Sequence, residues 1–91
     1  MDTVNKAVVT VLGRDTTGII AKVSAVLYKH DANILDITQT VLSGMFSMVM
    51  IVDLRGSDFT VLADDLSAVG TSLGLQVRIQ RNEIFDAMHR I

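Results

Sequence analysis

The chain has 91 residues, enough for one domain but not for two, and a formal net charge of −2. It contains no cysteine, which excludes disulfides, zinc ribbons, iron–sulfur clusters and thiol catalysis. It has no basic cluster that would hold a nucleic-acid backbone, no signal-peptide pattern at its start, and no apolar stretch long enough to span a bilayer. We therefore expect one cytoplasmic domain over residues 1–91, with no direct nucleic-acid or membrane partner. Its 49% apolar content favours self-association.

The first half of the chain predicts a strand, a polar loop, a helix and a second strand. Residues 6–12 form a β-branched run typical of a strand, and residues 13–17 form the loop. Apolar residues recur at helical spacing over residues 19–30, and either Thr16 or Thr17 is in position to cap that helix. Asn33 then opens a strand over residues 34–42.

A hairpin comes next. Ser43 and Gly44 are its turn residues, and residues 45–54 are its second arm. This arm is apolar at both alternating sets of positions, which predicts a strand covered on both faces. A second turn follows, and either Ser57 or Asp58 is in position to cap the next helix.

The remaining elements complete an α+β fold. A stripe of apolar residues predicts a helix over Phe59–Leu73, which Gly74 ends, and alternation predicts a strand over Leu75–Arg81. Residues 82–90 predict a short C-terminal helix. The order βαββαβ is that of a ferredoxin-like sandwich, a four-stranded antiparallel sheet with both helices on one face. The other face is then bare in a single chain, and a second copy is the simplest cover for it.

The loop after the first strand is the main candidate for a binding site. Backbone N–H groups at a helix start favour an anion, so they would hold the carboxylate of a ligand while Asp15 takes its ammonium group. Asn33 has an amide that both donates and accepts hydrogen bonds. The candidate ligand-binding residues are Arg14, Asp15, Thr16, Thr17, Gly18, Ile19, Asn33 and Ile34. The residues alone leave open a loop in which the glycines serve geometry only and Asn33 is a turn residue.

The other polar residues indicate neither catalysis nor a metal site. Of the two histidines, His30 is interpreted as a helix-end residue, and no partner stands at a metal-ligand spacing from it. Asp64 and Asp65 are adjacent helical residues that do not face each other, and they are interpreted as a solvated face. Arg78 is interpreted as a surface residue. We predict no catalytic residue, metal or cofactor.

Two segments resemble a known family. The run G-R-D-T-T-G-I-I-A-K-V-S-x-V-L, followed by N-I-L-D-I, resembles an ACT domain, and the likeness extends over essentially the whole chain. More narrowly, the chain is similar to the short stand-alone ACT proteins of bacteria that are related to the regulator of the glycine cleavage system. By position, Asp15, Gly18 and Asn33 match residues of the family pattern. Thr17 departs from it, because many members have proline there.

The resemblance implies a non-enzymatic regulatory module. Such a domain would bind a small amino acid between the first loop of one copy and an adjoining copy, and would pair side by side or back to back. Without an appended enzyme domain, it would signal through its homodimer to a separate enzyme or regulator. The alternative is a dimerisation module that binds no ligand.

Overall fold

The computed structural model describes residues 5–81. Six elements follow in the order strand, helix, strand, strand, helix, strand. They are β1 (Lys6–Arg14), α1 (Ile19–Lys29), β2 (Asn33–Leu42), β3 (Met45–Asp53), α2 (Phe59–Leu73) and β4 (Leu75–Arg81). This order confirms the predicted ferredoxin-like α+β fold, and the helix predicted over residues 82–90 lies outside the described residues. Neither α1 nor α2 has the length and hydropathy needed to traverse a membrane.

The four strands form one antiparallel sheet in the order β2-β3-β1-β4. β1 is central and pairs along its whole length with β3, ending in the pair Arg14 and Met45. β2 is an edge strand that pairs with β3, and an irregularity in the register between Ile34 and Asp36 leaves Leu35 as an extra residue. The ends of β1 and β2 and the start of β3 therefore meet at one end of the sheet.

The core lies between the sheet and the two helices. Alternate residues of β1 and β3 point to it, because successive side chains of a strand face opposite sides of a sheet. One stripe of each helix covers them, so both helices pack on the same face. The core residues are Ala7, Val9, Val11, Ile19, Val23, Leu27, Phe46, Met48, Met50, Val52, Leu54, Leu62, Leu66 and Leu75.

We call the opposite side of the sheet the open face. At one end of this face Val8 is buried and Ile51 is half-buried, whereas Leu12, Met45 and Val49 are 49%, 48% and 41% exposed. Within a single chain β3 is therefore fully covered on its helix side only. A single chain therefore does not meet the prediction that β3 is covered on both faces.

The α2 helix has a cap at each end. The Asp58 carboxylate accepts a hydrogen bond from the Val61 N–H at 3.1 Å, so Asp58 rather than Ser57 is the N-cap. Gly74 ends the helix with φ 72°, a left-handed conformation that glycine adopts without steric cost. The predicted stop at Gly74 is confirmed.

Candidate functional site

The loop between β1 and α1 is shorter than its sequence indicates, and it is tied to the β2–β3 turn. Gly13 and Arg14 belong to β1, because they pair with Phe46 and Met45 of β3. The next residue, Asp15, donates its backbone N–H to the carbonyl of Gly44 at 2.8 Å. The start of the loop is therefore anchored both to the sheet and to the hairpin turn.

The α1 helix starts at a glycine and lacks a side-chain cap. Gly18 is the N-cap residue with φ 85°, and no side chain of residues 5–81 bonds the helix start. The prediction that Thr16 or Thr17 caps the helix is therefore wrong. The first turn also carries no acidic residue, so the positive end of the helix dipole meets no compensating charge in that turn. Compared with the capped start of α2, this helix start has free donors for a negatively charged group.

A cleft of about 490 Å³ lies between the start of α1 and the end of β2. Four of the predicted site residues line one wall, namely Asp15, Thr16, Gly18 and Ile19. The other lining residues are Ile20, Ala21, Gln39, Thr40, Val41 and Phe46. Arg14 and Thr17 flank the same segment but do not line the cleft. The cleft thus combines the uncapped helix start with polar groups of β2 and an apolar floor.

Lys22 is a cationic residue near the cleft that is not among the candidate residues identified from the sequence. A Cβ atom added to Gly18 would lie 3.9 Å from the Cε atom of Lys22, so the lysine side chain extends toward the N-cap. Helical side chains tilt toward the N-terminus, which explains why the residue four positions later reaches Gly18. The four-residue spacing from Gly18 to Lys22 is therefore the sequence signal that would have identified Lys22. Its ammonium group adds positive charge near the free N–H donors.

Asn33 and Ile34 lie far from this cleft within one chain. Asn33 pairs with Asp53 at the end of β3, whereas Arg14, just before the loop, pairs with Met45 at its start. Eight residues of strand separate those pairs, which is about 26 Å. Ile34 is half-buried and packs against the core. A single chain therefore does not bring Asn33 and Ile34 together with the loop.

A second polar cluster joins the two helices. The His30 ring lies at the end of α1, and its Nε2 is 2.6 Å from Oδ2 of Asp65 on α2. The Lys29 ammonium is 3.7 Å from the same oxygen. Hydrogen bonding to His30 is the main reason that the pKa of the Asp65 carboxyl is lowered from its ordinary value. Asp65 remains partly exposed to solvent, as interpreted from the sequence, but packing of α1 beside α2 also gives it a partner that is distant in sequence.

Ser57 stands next to His30 but does not complete a catalytic group. Its hydroxyl lies within hydrogen-bond distance of the backbone carbonyls of His30 and Leu54, to either of which it can donate its proton, and not of the imidazole ring. A serine nucleophile needs a base within hydrogen-bond reach of its hydroxyl. The cluster therefore connects the end of α1 to the turn before α2. Among residues 5–81, no group of three or more His, Asp or Glu side chains is arranged to hold a metal ion.

Known proteins resemble this chain over most of its length. A family model described as the ACT domain matches residues 5–80. A UPF0237 protein of Bifidobacterium longum is 48% identical over 89 residues, which cover 96% of this chain and 99% of that protein. The structure of an ACT domain protein from Streptococcus pneumoniae superposes with a TM-score of 0.80 and 39% identity, covering 91% of this chain and 96% of that one.

A more distant likeness shows the fold alone. The structure of a proposed glycine cleavage system transcriptional repressor matches with a TM-score of 0.78 and 22% identity. The match covers 88% of this chain and 47% of that one, so the repressor is about twice as long as the shared region.

Proposed function

Because the chain belongs to the ACT domain family, we propose that it is a regulatory protein that binds a small amino acid and signals to a separate protein. The observation that carries this proposal is the uncapped start of α1, which opens onto the cleft beside Gly18. Free helix N–H groups and a positive dipole favour a carboxylate at that point.

The cleft offers a partner for each pole of an amino acid. The carboxylate would accept hydrogen bonds from the first-turn N–H groups, with the Lys22 ammonium near Gly18 adding attraction. The ammonium group would face Asp15, whose side chain is exposed at the cleft. Charge-assisted hydrogen bonds of this kind are about twice as strong as neutral ones. Both poles are needed, which favours an α-amino acid over a simple anion.

A second copy explains how Asn33 joins the same site. Its strand, β2, lies at the edge of the sheet, and Leu35, Ile37 and Val41 are 46%, 41% and 52% exposed. If two β2 edges pair antiparallel about a two-fold axis, the start of one strand lies beside the end of the other. Asn33 and Ile34 of the second copy would then approach the end of the cleft at Val41. The ligand would sit between the two copies.

This arrangement gives a mechanism for signalling. A ligand held by both copies stabilises the paired form over any other, and the coupling between binding and assembly is typically about 1–3 kcal/mol. The separate partner would recognise the paired form. A module that only dimerises would pair through the same β2 edge, but its dimerisation would not depend on a ligand.

The test is an amino-acid screen followed by a pair of glycine variants. We expect at least one α-amino acid to raise the melting temperature, since a ligand at a hundredfold excess over Kd adds about 2.7 kcal/mol. Gly18→Ala should reduce its affinity about tenfold or more in isothermal titration, because the added methyl group occupies the cleft wall. Gly74→Ala is the matched control. Gly18 and Gly74 both have positive φ, 85° and 72°, with no atom closer than 3.9 Å to the new Cβ.

The two variants should lose similar stability, about 1–2 kcal/mol each, from left-handed strain. Only Gly18→Ala should lose affinity. Equal affinities for the wild type and Gly18→Ala would refute the position of the site. If none of the amino acids raises the melting temperature, amino-acid sensing is wrong and the ligand-free dimerisation module replaces it.

A further inference from the structure

The sheet has a second edge, which neither the cleft nor the pairing through β2 uses. β4 lies at the outside of the sheet, and among residues 5–81 only β1 pairs with it. The outer side of an edge strand presents a row of backbone N–H and C=O groups without partners in the sheet. Such a row is able to pair with one more extended segment.

The side chains of β4 give this edge two different faces. Gln76, Arg78 and Gln80 are exposed and lie on the open face. Val77 and Ile79 are half-buried on the other face, where they pack against the core. Residues directly opposite each other on paired strands contact each other, so an added strand meets the two faces in alternation. The best-fitting segment therefore alternates polar residues with apolar ones.

The charged residues of β4 are both arginines. Arg78 is at the middle of the strand, and no ion pair between residues 5–81 involves it. Arg81 is at the end, with its guanidinium 4.5 Å from the centre of the Phe59 ring. Thr10, which pairs with Arg78 on β1, is uncharged. The middle of the edge is therefore positively charged, which favours an acidic residue opposite Arg78 on an added strand.

The position of Arg78 opposes pairing with β4 of a second copy. A two-fold axis through the middle of the strand would place Arg78 directly opposite its own equivalent, and like charges in that arrangement are destabilising. Charged residues on edge strands are one means by which proteins prevent pairing with identical edges. The same charge attracts a segment of opposite sign, so it selects an acidic partner over a copy of β4.

We propose that the β4 edge is a docking site for an extended acidic segment of another protein. The segment adds a strand to the sheet, with an acidic residue beside Arg78 and apolar residues beside Val77 and Ile79. In this mode of recognition main-chain hydrogen bonds give affinity and alternate side chains give specificity.

Docking at this edge deepens the proposed function and rests on it in one respect, that the separate protein receiving the signal would be bound here. No residue of β4 lines the cleft beside Gly18. Docking can therefore be measured without any amino acid, and the two proposals are tested separately.

The test is a titration of the full chain into a fluorescent synthetic peptide of alternating Glu and Val, about six residues long, read by anisotropy. A second peptide has Lys in place of Glu, and a third has proline at its two central positions, which removes backbone donors. We expect the acidic peptide to bind at least about tenfold more tightly than either. Amide shifts in NMR spectra should change in β4 and not at the start of α1.

A charge reversal at Arg78 tests the pairing directly. Arg78→Glu should weaken binding of the acidic peptide about tenfold, and it should bind the Lys peptide more tightly than the wild type does, since that pair is recreated with its signs exchanged. Arg55→Glu is the matched control. It makes the same change of charge in the exposed turn after β3, which β1 separates from β4, and should bind like the wild type.

Four results would overturn the docking site. They are no binding of the acidic peptide, equal binding of the Lys peptide by the wild type, equal behaviour of Arg78→Glu and Arg55→Glu, and amide shifts at the start of α1 in place of β4. Growth of the chain alone into larger species that Arg78→Glu disperses would assign the edge to β2 of a further copy, which carries Asp36. An amino-acid screen that fails while the peptide still docks would refute only the amino-acid site.

Discussion

The hydrogen bond between His30 and Asp65 makes the free energy of unfolding depend on pH. Since the folded pKa of Asp65 is lowered below its ordinary value of 3.8, the ionised carboxylate stabilises the folded chain above that value. This stabilisation is lost as the pH falls through the lowered folded pKa. The excess stability of the wild type over Asp65→Asn should therefore rise from pH 2 to pH 5, measured by urea unfolding.

The source of the shift is tested by titrating the Asp65 carboxyl by NMR. His30→Ala removes the main cause and should raise the pKa of Asp65 toward 3.8. Lys29→Ala removes a smaller Coulombic cause and should raise it less, because the lysine is 73% exposed and its charge is screened by water. An unchanged pKa in His30→Ala would show that the ring does not hold the carboxylate in solution.

At the scale of the elements, one glycine sets how closely α2 packs on β4. A Cβ atom at Gly70 would lie 2.9 Å from the Leu75 carbonyl oxygen and 2.9 Å from Cγ2 of Val77. Gly70→Ala should gain about 0.5–1 kcal/mol of helix propensity but lose about 1–3 kcal/mol to overpacking. We expect a net destabilisation of about 1 kcal/mol in urea unfolding.

The exposed neighbour Thr71 is the control for that prediction. Thr71→Ala makes the same helix-favouring change without a close contact, so it should be neutral or slightly stabilising. If Gly70→Ala were as stable as Thr71→Ala, the helix would not lie as close to the strand as 2.9 Å implies.

These elements were predictable from the sequence because their signals are local. Alternation of apolar and polar residues predicted β4, the helical spacing of apolar residues predicted α2, and Gly74 marked the end of α2. Features that depend on residues distant in sequence were not predictable. Gly13 and Arg14 extend β1 because β3 offers partners, and Asp65 meets His30 because the two helices pack together.

The candidate site likewise has a part that was predictable from local sequence and a part that was not. The loop and helix start form one contiguous segment, so the grouping of Asp15, Thr16, Gly18 and Ile19 followed from their adjacency. Asn33 was grouped with these residues only because of the family resemblance. The antiparallel pairing of β2 with β3 carries it to the other end of the sheet. No local signal shows whether a site is shared between copies.

At the scale of the whole molecule, pairing through β2 is testable with one exposed residue. Ile37→Lys places a charge at the middle of this edge, where Ile37 is 41% exposed, and lysine on an edge strand opposes pairing with another strand. The variant should remain folded but sediment as a smaller species and lose amino-acid binding, because Asn33 and Ile34 of the proposed site come from the second copy.

Val61→Lys is the corresponding control, since Val61 is 48% exposed on α2 and lies away from β2. It should keep both the assembly and the binding of the wild type. Full assembly of Ile37→Lys at micromolar concentration would exclude the β2 edge as the pairing surface.

The hydrogen bond from the Asp15 N–H to the Gly44 carbonyl couples two places that lie far apart in the sequence. A displacement of the Asp15 backbone must either break this bond or carry the tip of the hairpin along. The same tip joins β2, at the edge of the sheet, to β3 in its interior. A molecule captured at the helix start would thereby act on the hairpin tip and, through it, on both β2 and β3.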